Sequence, residues 1–275
     1  MKSLQIKSKN LAVLNGVEET LLIPLFARAL ETRQKNGLIR DYKSVEILDG
    51  LFHDVQKVNM IKVLQIAFAV RTRLVDDIVA GFLAKNPTGS IVNLGAGLDS
   101  RYYRLNNQLA KWFDIDLPTV EPLWLEVFDA TDSHKFLPFS VLDSGWMEEI
   151  KSVGEIPILF IAEGLLIHLS ETQVMSLLHE IYANFPSCEL VAELVSPFVV
   201  KYVPVNLEVT KRKKKLGWGI ADTKELLTNI TGLSILTEYN ILDLFASRWG
   251  AYSLLKFIPI LRKGQRVTHF QIHLV

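Results

Sequence analysis

A single cysteine, Cys188, stands in a chain of 275 residues. An internal disulfide is therefore excluded, which suits a reducing compartment. An excess of charge is missing too: 30 Lys and Arg balance 30 Asp and Glu, for a formal net charge of zero. No global field then draws the chain to nucleic acid. Long apolar runs are also absent. The stretch from Ile158 to Ile167 carries Glu163 and is too short to span a bilayer. The stretch from Leu21 to Leu30 is broken by Pro24 and Arg28 and does not read as a secretory signal. No Gly-x-Ser-x-Gly nucleophile turn occurs. His269 and His273, four apart on an expected strand, are too far apart to chelate one metal. These absences predict a cytoplasmic protein with no metal site and no nucleic-acid or membrane partner. They leave its oligomeric state open.

Among the features present, Ser90-Ile91-Val92-Asn93-Leu94-Gly95-Ala96-Gly97-Leu98-Asp99-Ser100-Arg101 is the most informative. An apolar run ends in two glycines spaced one apart, which reads as a buried strand, a tight turn and a helix start. Glycine lets the chain turn sharply and lets a ligand approach without a Cβ in the way. The helix start offers unpaired N–H groups to that ligand. Beyond it, Lys111 to Pro118 reads as a second strand with Asp114 and Asp116 on one face. An acidic side chain at this place in a doubly wound sheet accepts hydrogen bonds from ribose hydroxyls, and Asp116 lies nearer the strand end. A dinucleotide fingerprint would have a third glycine where this chain has Ser100. That absence disfavours a pyrophosphate ligand. S-adenosylmethionine has no phosphates and needs only the turn, the acid and an adenine slot.

Residues 1–84 read as a mostly helical extension, with Leu21, Leu22, Leu25, Phe26, Ala29 and Leu30 on one face. Two or three further helices fall within 41–51 and 60–83. A core over 85–275 follows, with strands expected at 90–94, 111–116, 136–141, 156–162 and 188–194. Alternation with helices implies a parallel sheet. Leu254–Leu261 and Val267–Leu274 read as a terminal hairpin around Lys263-Gly264-Gln265. Ser170-Glu171-Thr172-Gln173 fits a capping box opening a helix over 171–184. Segment 196–222 reads as an insertion carrying Lys211-Arg212-Lys213-Lys214-Lys215, either a solvated face or an attraction for an anionic substrate or carrier.

The stretch Ile91 to Arg101 closely resembles the glycine motif of the leucine carboxyl methyltransferase family. Asp114-Ile115-Asp116-Leu117-Pro118 is similar to its ribose motif. Ile161-Ala162-Glu163-Gly164-Leu165-Leu166-Ile167-His168-Leu169 resembles its third signature, with His168 where the family usually has Tyr. Pro24 to Glu31, Val70-Arg71-Thr72-Arg73 and Gly217-Trp218-Gly219-Ile220 resemble the bacterial branch, which includes polyketide O-methyltransferases. The likeness runs from about Ala27 to Ile241. It implies a Rossmann-like, doubly wound α/β sheet of seven strands with an antiparallel C-terminal strand. It also implies S-adenosyl-L-methionine as cofactor and an O-methyltransferase acting on a small-molecule or carrier-bound, polyketide-like hydroxyl or carboxylate.

The cofactor residues implied are Arg71, Gly95, Ala96, Gly97, Asp116, Ser140, Val141 and Glu163. Arg71 suits the methionine carboxylate, because a guanidinium binds carboxylates in a bidentate way. Glu163 belongs near the cofactor's amino-acid end, since an unpaired carboxylate in an apolar run would be costly. Ser140 and Val141 fall at the adenine positions, Ser140 where the family commonly has Asp. His168 is the candidate base. The acceptor is expected between the N-terminal helices and the insertion, among Phe52, Phe68, Phe198, Tyr202 and Trp218. A nicotinamide-dependent oxidoreductase on a similar sheet and a non-catalytic cofactor-binding relative are the alternatives.

Overall fold

Strand and helix alternate from Ser90 onward, and apolar residues fill both faces of the central strands. In the computed structural model, the residues described are 21–51, 60–154, 156–202 and 216–273. The strands are β1 (Ser90–Leu94), β2 (Lys111–Asp116), β3 (His134–Pro138), β4 (Ile158–Ala162), β5 (Ser187–Val195), β6 (Leu233–Asn240) and β7 (Gln265–His273). They form one sheet in the order β3-β2-β1-β4-β5-β7-β6. Strands β1 to β5 pair in parallel, whereas β7 runs antiparallel to both β5 and β6. The chain leaves β1 toward β2 and β3, then returns to add β4 on the other side. The carboxyl end of β1 is thus a topological switch point, where doubly wound sheets bind ligands.

Period-two alternation divides the core. Val92, Leu94, Phe113, Ile115, Phe160, Leu190 and Ala192 pack on one face with α6 (Gly145–Lys151) and α7 (Glu171–Asn184). Ile91, Trp112, Leu159, Ile161 and Val191 pack on the other with the long α3 (Lys62–Lys85). Burial on both faces is what a parallel sheet requires. Helices α1 (Leu22–Thr32) and α2 (Tyr42–Leu51) join a third apolar cluster with α5 (Glu121–Val127) and Phe136. Between β1 and β2 lies only the short α4 (Arg101–Leu105). The capping box forms as its residues require: Ser170 accepts from the Gln173 N–H, and the Gln173 side chain accepts from the Ser170 N–H. Among the described residues, no helix is long and apolar enough to cross a membrane.

The terminal hairpin differs from expectation. Residues 254–261 are not a strand. Gly250–Phe257 forms a 3-10 helix and Pro259–Arg262 a short helix. Gly250 sits at φ +57, and Pro259 lacks the N–H that a sheet ladder needs. Short apolar runs do not distinguish strand from helix by periodicity. The partner of β7 is β6, whose register shifts between Ile235 and Thr237. That bulge interrupts the alternation by which β6 would be read from sequence. Strand β3 also starts earlier than expected, at His134, and ends at Pro138 before a turn over Ser140–Asp143. Phe52 and the run Lys211–Lys215 lie outside the described residues.

Candidate active site

A cavity of about 380 Å³ opens where β1, β2, β4 and β5 end. Its floor is the turn after β1. Gly95 and Gly97 hold φ of +64 and +54, values that L side chains rarely adopt. A Cβ on Gly95 would sit 2.8 Å from Leu165 Cδ1. The turn is closed by the Ala96 N–H bonding to the Ile115 carbonyl at 3.0 Å. At the end of β2, Asp116 accepts from the Gly97 N–H at 2.7 Å and from the Leu117 N–H at 2.7 Å. Its carboxylate is thereby held at the glycine turn and lines the cavity.

Asp114 shares the parity of Asp116 but has another fate. It is buried and meets Asn93 Nδ2 at 3.3 Å, Trp124 Nε1 at 3.0 Å and His134 Nε2 at 2.9 Å. Ser100, in the place of a third glycine, is fully buried and donates to Asp41 at 2.6 Å. It ties the start of α4 to the start of α2.

Arg71, Gly95, Ala96, Gly97, Asp116, Ser140, Val141, Glu163 and His168 all line this cavity. Arg71 comes from α3, and its guanidinium lies over the Phe68 ring at 4.6 Å. Arg71 Nε donates to Glu163 at 2.8 Å, and another nitrogen donates to Glu193 at 2.7 Å. Glu163 also accepts from Arg101, which pairs in turn with Asp76 and Asp99. Arg104 links Asp76, Asp99 and Asp41, and Arg28 joins Asp41 at 2.9 Å. Burial pushes the Glu163 carboxyl up, but Arg71 and Arg101 outweigh it and hold its pKa at about 2. The same contest at Asp41, with Arg104 and Arg28 as partners, also ends at about 2. The Glu163 and Asp41 carboxylates are thus ionised at neutral pH, and the arginines that pair with them are held in fixed orientations.

On the far rim, Ser140 and Val141 follow β3. The Ser140 N–H donates to Asp143 at 3.1 Å, and the Val141 carbonyl accepts from Trp146 Nε1 at 3.3 Å. His168 ends the 3-10 turn Leu166–His168 just past β4. The Gly217 N–H docks on the Ile167 carbonyl at 2.8 Å, bringing the end of the 196–222 segment onto that turn. Of the expected acceptor-wall aromatics, Phe68 lines the cavity, whereas Phe198 and Tyr202 are outside its lining. Trp218 is buried in the sheet core instead. Val199 and Leu216 line the cavity from this segment.

Glu193 was not singled out in the sequence, although it sits in an apolar run as Glu163 does. The same signal, a carboxylate where burial is expected, would have found it. Arg28, Asp99 and Arg101 fall within motif stretches, but their ion pairing is decided by tertiary contacts.

The family model described as leucine carboxyl methyltransferase matches residues 22–182. The tetracenomycin polyketide synthesis O-methyltransferase TcmP of Streptomyces glaucescens is 27% identical over 231 residues, covering 84% of this chain and 85% of that protein. The S-adenosyl-L-methionine-dependent methyltransferase dpfgK of Gibberella zeae is 27% identical over 267 residues, covering 90% and 89%. A proposed methyltransferase from Thermobifida fusca superposes with a TM-score of 0.56 at 12% identity over 90% of this chain and 94% of that one, a likeness of fold. The matched segment spans more than half of the chain, and the protein therefore belongs to the leucine carboxyl methyltransferase family of S-adenosyl-L-methionine-dependent methyltransferases.

Proposed function

We propose that this protein methylates the hydroxyl oxygen of a small, largely apolar acceptor, free or carrier-bound and polyketide-like. The observation that carries this reading is the charge of the cavity. Among its described lining residues, four carboxylates (Asp99, Asp116, Glu163 and Glu193) face two guanidiniums (Arg28 and Arg71). Such a site suits a cofactor bearing a sulfonium and an ammonium, and it opposes a pyrophosphate. The glycine turn itself lines the cavity, and Leu21 packs against it so closely that a Cβ at Gly97 would come within 3.1 Å of the Leu21 Cβ.

In this reading Gly95, Ala96 and Gly97 cradle the cofactor, and Asp116 accepts from its ribose hydroxyls. Ser140 and Val141 flank its adenine. Arg71 holds the methionine carboxylate, and Glu163 fixes Arg71 while facing the ammonium. The bound cofactor supplies an electrophilic methyl carbon. The chain's own task is to align an acceptor oxygen and exclude water. The N-terminal extension 1–84 and the insertion 196–222 are the acceptor walls, through Leu64, Phe68, Val199 and Leu216.

A carboxylate acceptor is already ionised and needs no base, whereas a hydroxyl does; in this reading His168, which lines the cavity, takes its proton. Calorimetry against S-adenosylmethionine, its demethylated product and NADH tests the cofactor assignment. Binding of the first two alone is expected. Binding of NADH in their place would overturn it.

A further inference from the structure

We propose that the segment between β6 and β7 is a docking ridge for an anionic membrane surface. In a 3-10 helix, residues three apart eclipse one another. Leu254 and Phe257 therefore stack on one side of Gly250–Phe257, at 64% and 72% exposure, and Ile260 continues the three-residue spacing at 52%. Ile258 and Tyr252 are exposed beside them. Phe257-Ile258-Pro259-Ile260 is thus an uninterrupted run of four exposed apolar residues. A run of that kind marks an interaction surface rather than ordinary surface composition.

The ridge is held outward by its own anchors. Leu255 and Leu261 pack on the apolar cluster under α3, where Trp249 is buried. Arg262 pairs with Asp243 at 2.8 Å. With these side chains turned inward, Leu254, Phe257 and Ile260 are left exposed on the outer side.

Charge selects the partner. Residues 250–264 contain Lys256, Arg262 and Lys263 and no acidic residue; with Arg262 paired to Asp243, the two lysines leave the ridge net positive. Exposed apolar side chains flanked by basic ones match the boundary of a bilayer with acidic headgroups. A second copy docked about a two-fold axis would set the same basic surface against itself. The ridge also reaches the rim of the cavity. A Cβ on Gly264 would lie 3.2 Å from Val199 Cγ2, and Val199 and Gln265 both line the cavity. A lipophilic acceptor leaving the membrane here would enter beside Val199. The sequence reading expected no membrane partner. The ridge's exposure, which periodicity does not reveal, is the ground for proposing otherwise.

The full chain is tested by co-sedimentation with phosphatidylcholine vesicles, with and without about one third phosphatidylglycerol. Binding to the anionic vesicles is expected to exceed binding to the neutral ones by roughly tenfold and to weaken with salt. The pair Phe257→Ser and Ile260→Ser should lower it by at least roughly tenfold, with S-adenosylmethionine affinity unchanged as evidence of folding. Lys256→Glu with Lys263→Glu should remove the preference for anionic vesicles. No sedimentation, equal binding to both vesicles, or unchanged binding by the apolar pair would overturn the proposal. A dimer seen by light scattering and dissolved by the apolar pair would overturn it too, assigning the ridge to a second copy.

Discussion

Gly97 and His168 illustrate two kinds of constraint that one residue can carry. At Gly97 the constraint is conformational, because a φ of +54 costs a side chain about 1–2 kcal/mol. A leucine there would also collide with Leu21, whose Cβ lies 3.1 Å from the position of the new Cβ. Gly97→Leu is expected to weaken S-adenosylmethionine binding by at least about 100-fold, while near-UV circular dichroism stays native. Retained affinity by calorimetry would remove the glycine turn from the site. At His168 the constraint is chemical. His168→Asn should lower kcat by roughly 10²–10⁴ and flatten the acid limb of its pH profile. Cofactor affinity should stay the same, which separates a base from a residue that shapes the pocket. Asp114 and Asp116 show how far residue identity reads by itself. Parity allows both, and only packing against Trp124 and His134 assigns Asp114 to the interior.

At the scale of elements, local signals were legible where a few adjacent residues contain the whole device. The box at Ser170 and Gln173 opens α7 because both partners lie within one turn. Ser170→Ala is expected to cost about 1 kcal/mol, read as a fall in Tm of roughly 2–4 °C, with no change in cofactor binding. A larger loss would mean that Ser170 does more than cap. Strand β6 was illegible because its bulge breaks the period-two pattern. Residues 254–261 misled for the opposite reason. Their apolar content suggests a buried strand, yet Leu254, Phe257 and Ile260 lie in the surface.

At the scale of the whole molecule, the buried ion network joins elements distant in sequence and makes stability depend on pH. Asp41 and Glu163 titrate at about 2 in the folded protein, against ordinary values of 3.8 and 4.5. Their folded pKa values are depressed, so the unfolded state binds more protons between about pH 4.5 and pH 2. The stabilisation is fully present above about pH 4.5 and is lost as pH falls toward 2, on the order of 2 kcal/mol for each group. Urea denaturation near pH 6 and near pH 3 should show part of this loss, roughly 3 kcal/mol for the two groups together. An unfolding free energy unchanged between them would mean that these carboxylates are not held ionised by the arginines.

Sequence by itself determined what short-range physics encodes. That includes a strand ending in Gly95 and Gly97, an acid at the end of the next strand, a capped helix, and apolar parity on both faces of β1, β2 and β4. Tertiary structure decided what depends on the order of strands in the sheet. Arg71 meets Glu163 across 92 residues of chain and Glu193 across 122. Those meetings follow from α3 crossing the carboxyl ends of β4 and β5, which lie side by side in the sheet. Periodicity is a property of neighbours along the chain. Ion pairing and exposure are properties of neighbours in space, and the sheet order alone made these residues neighbours.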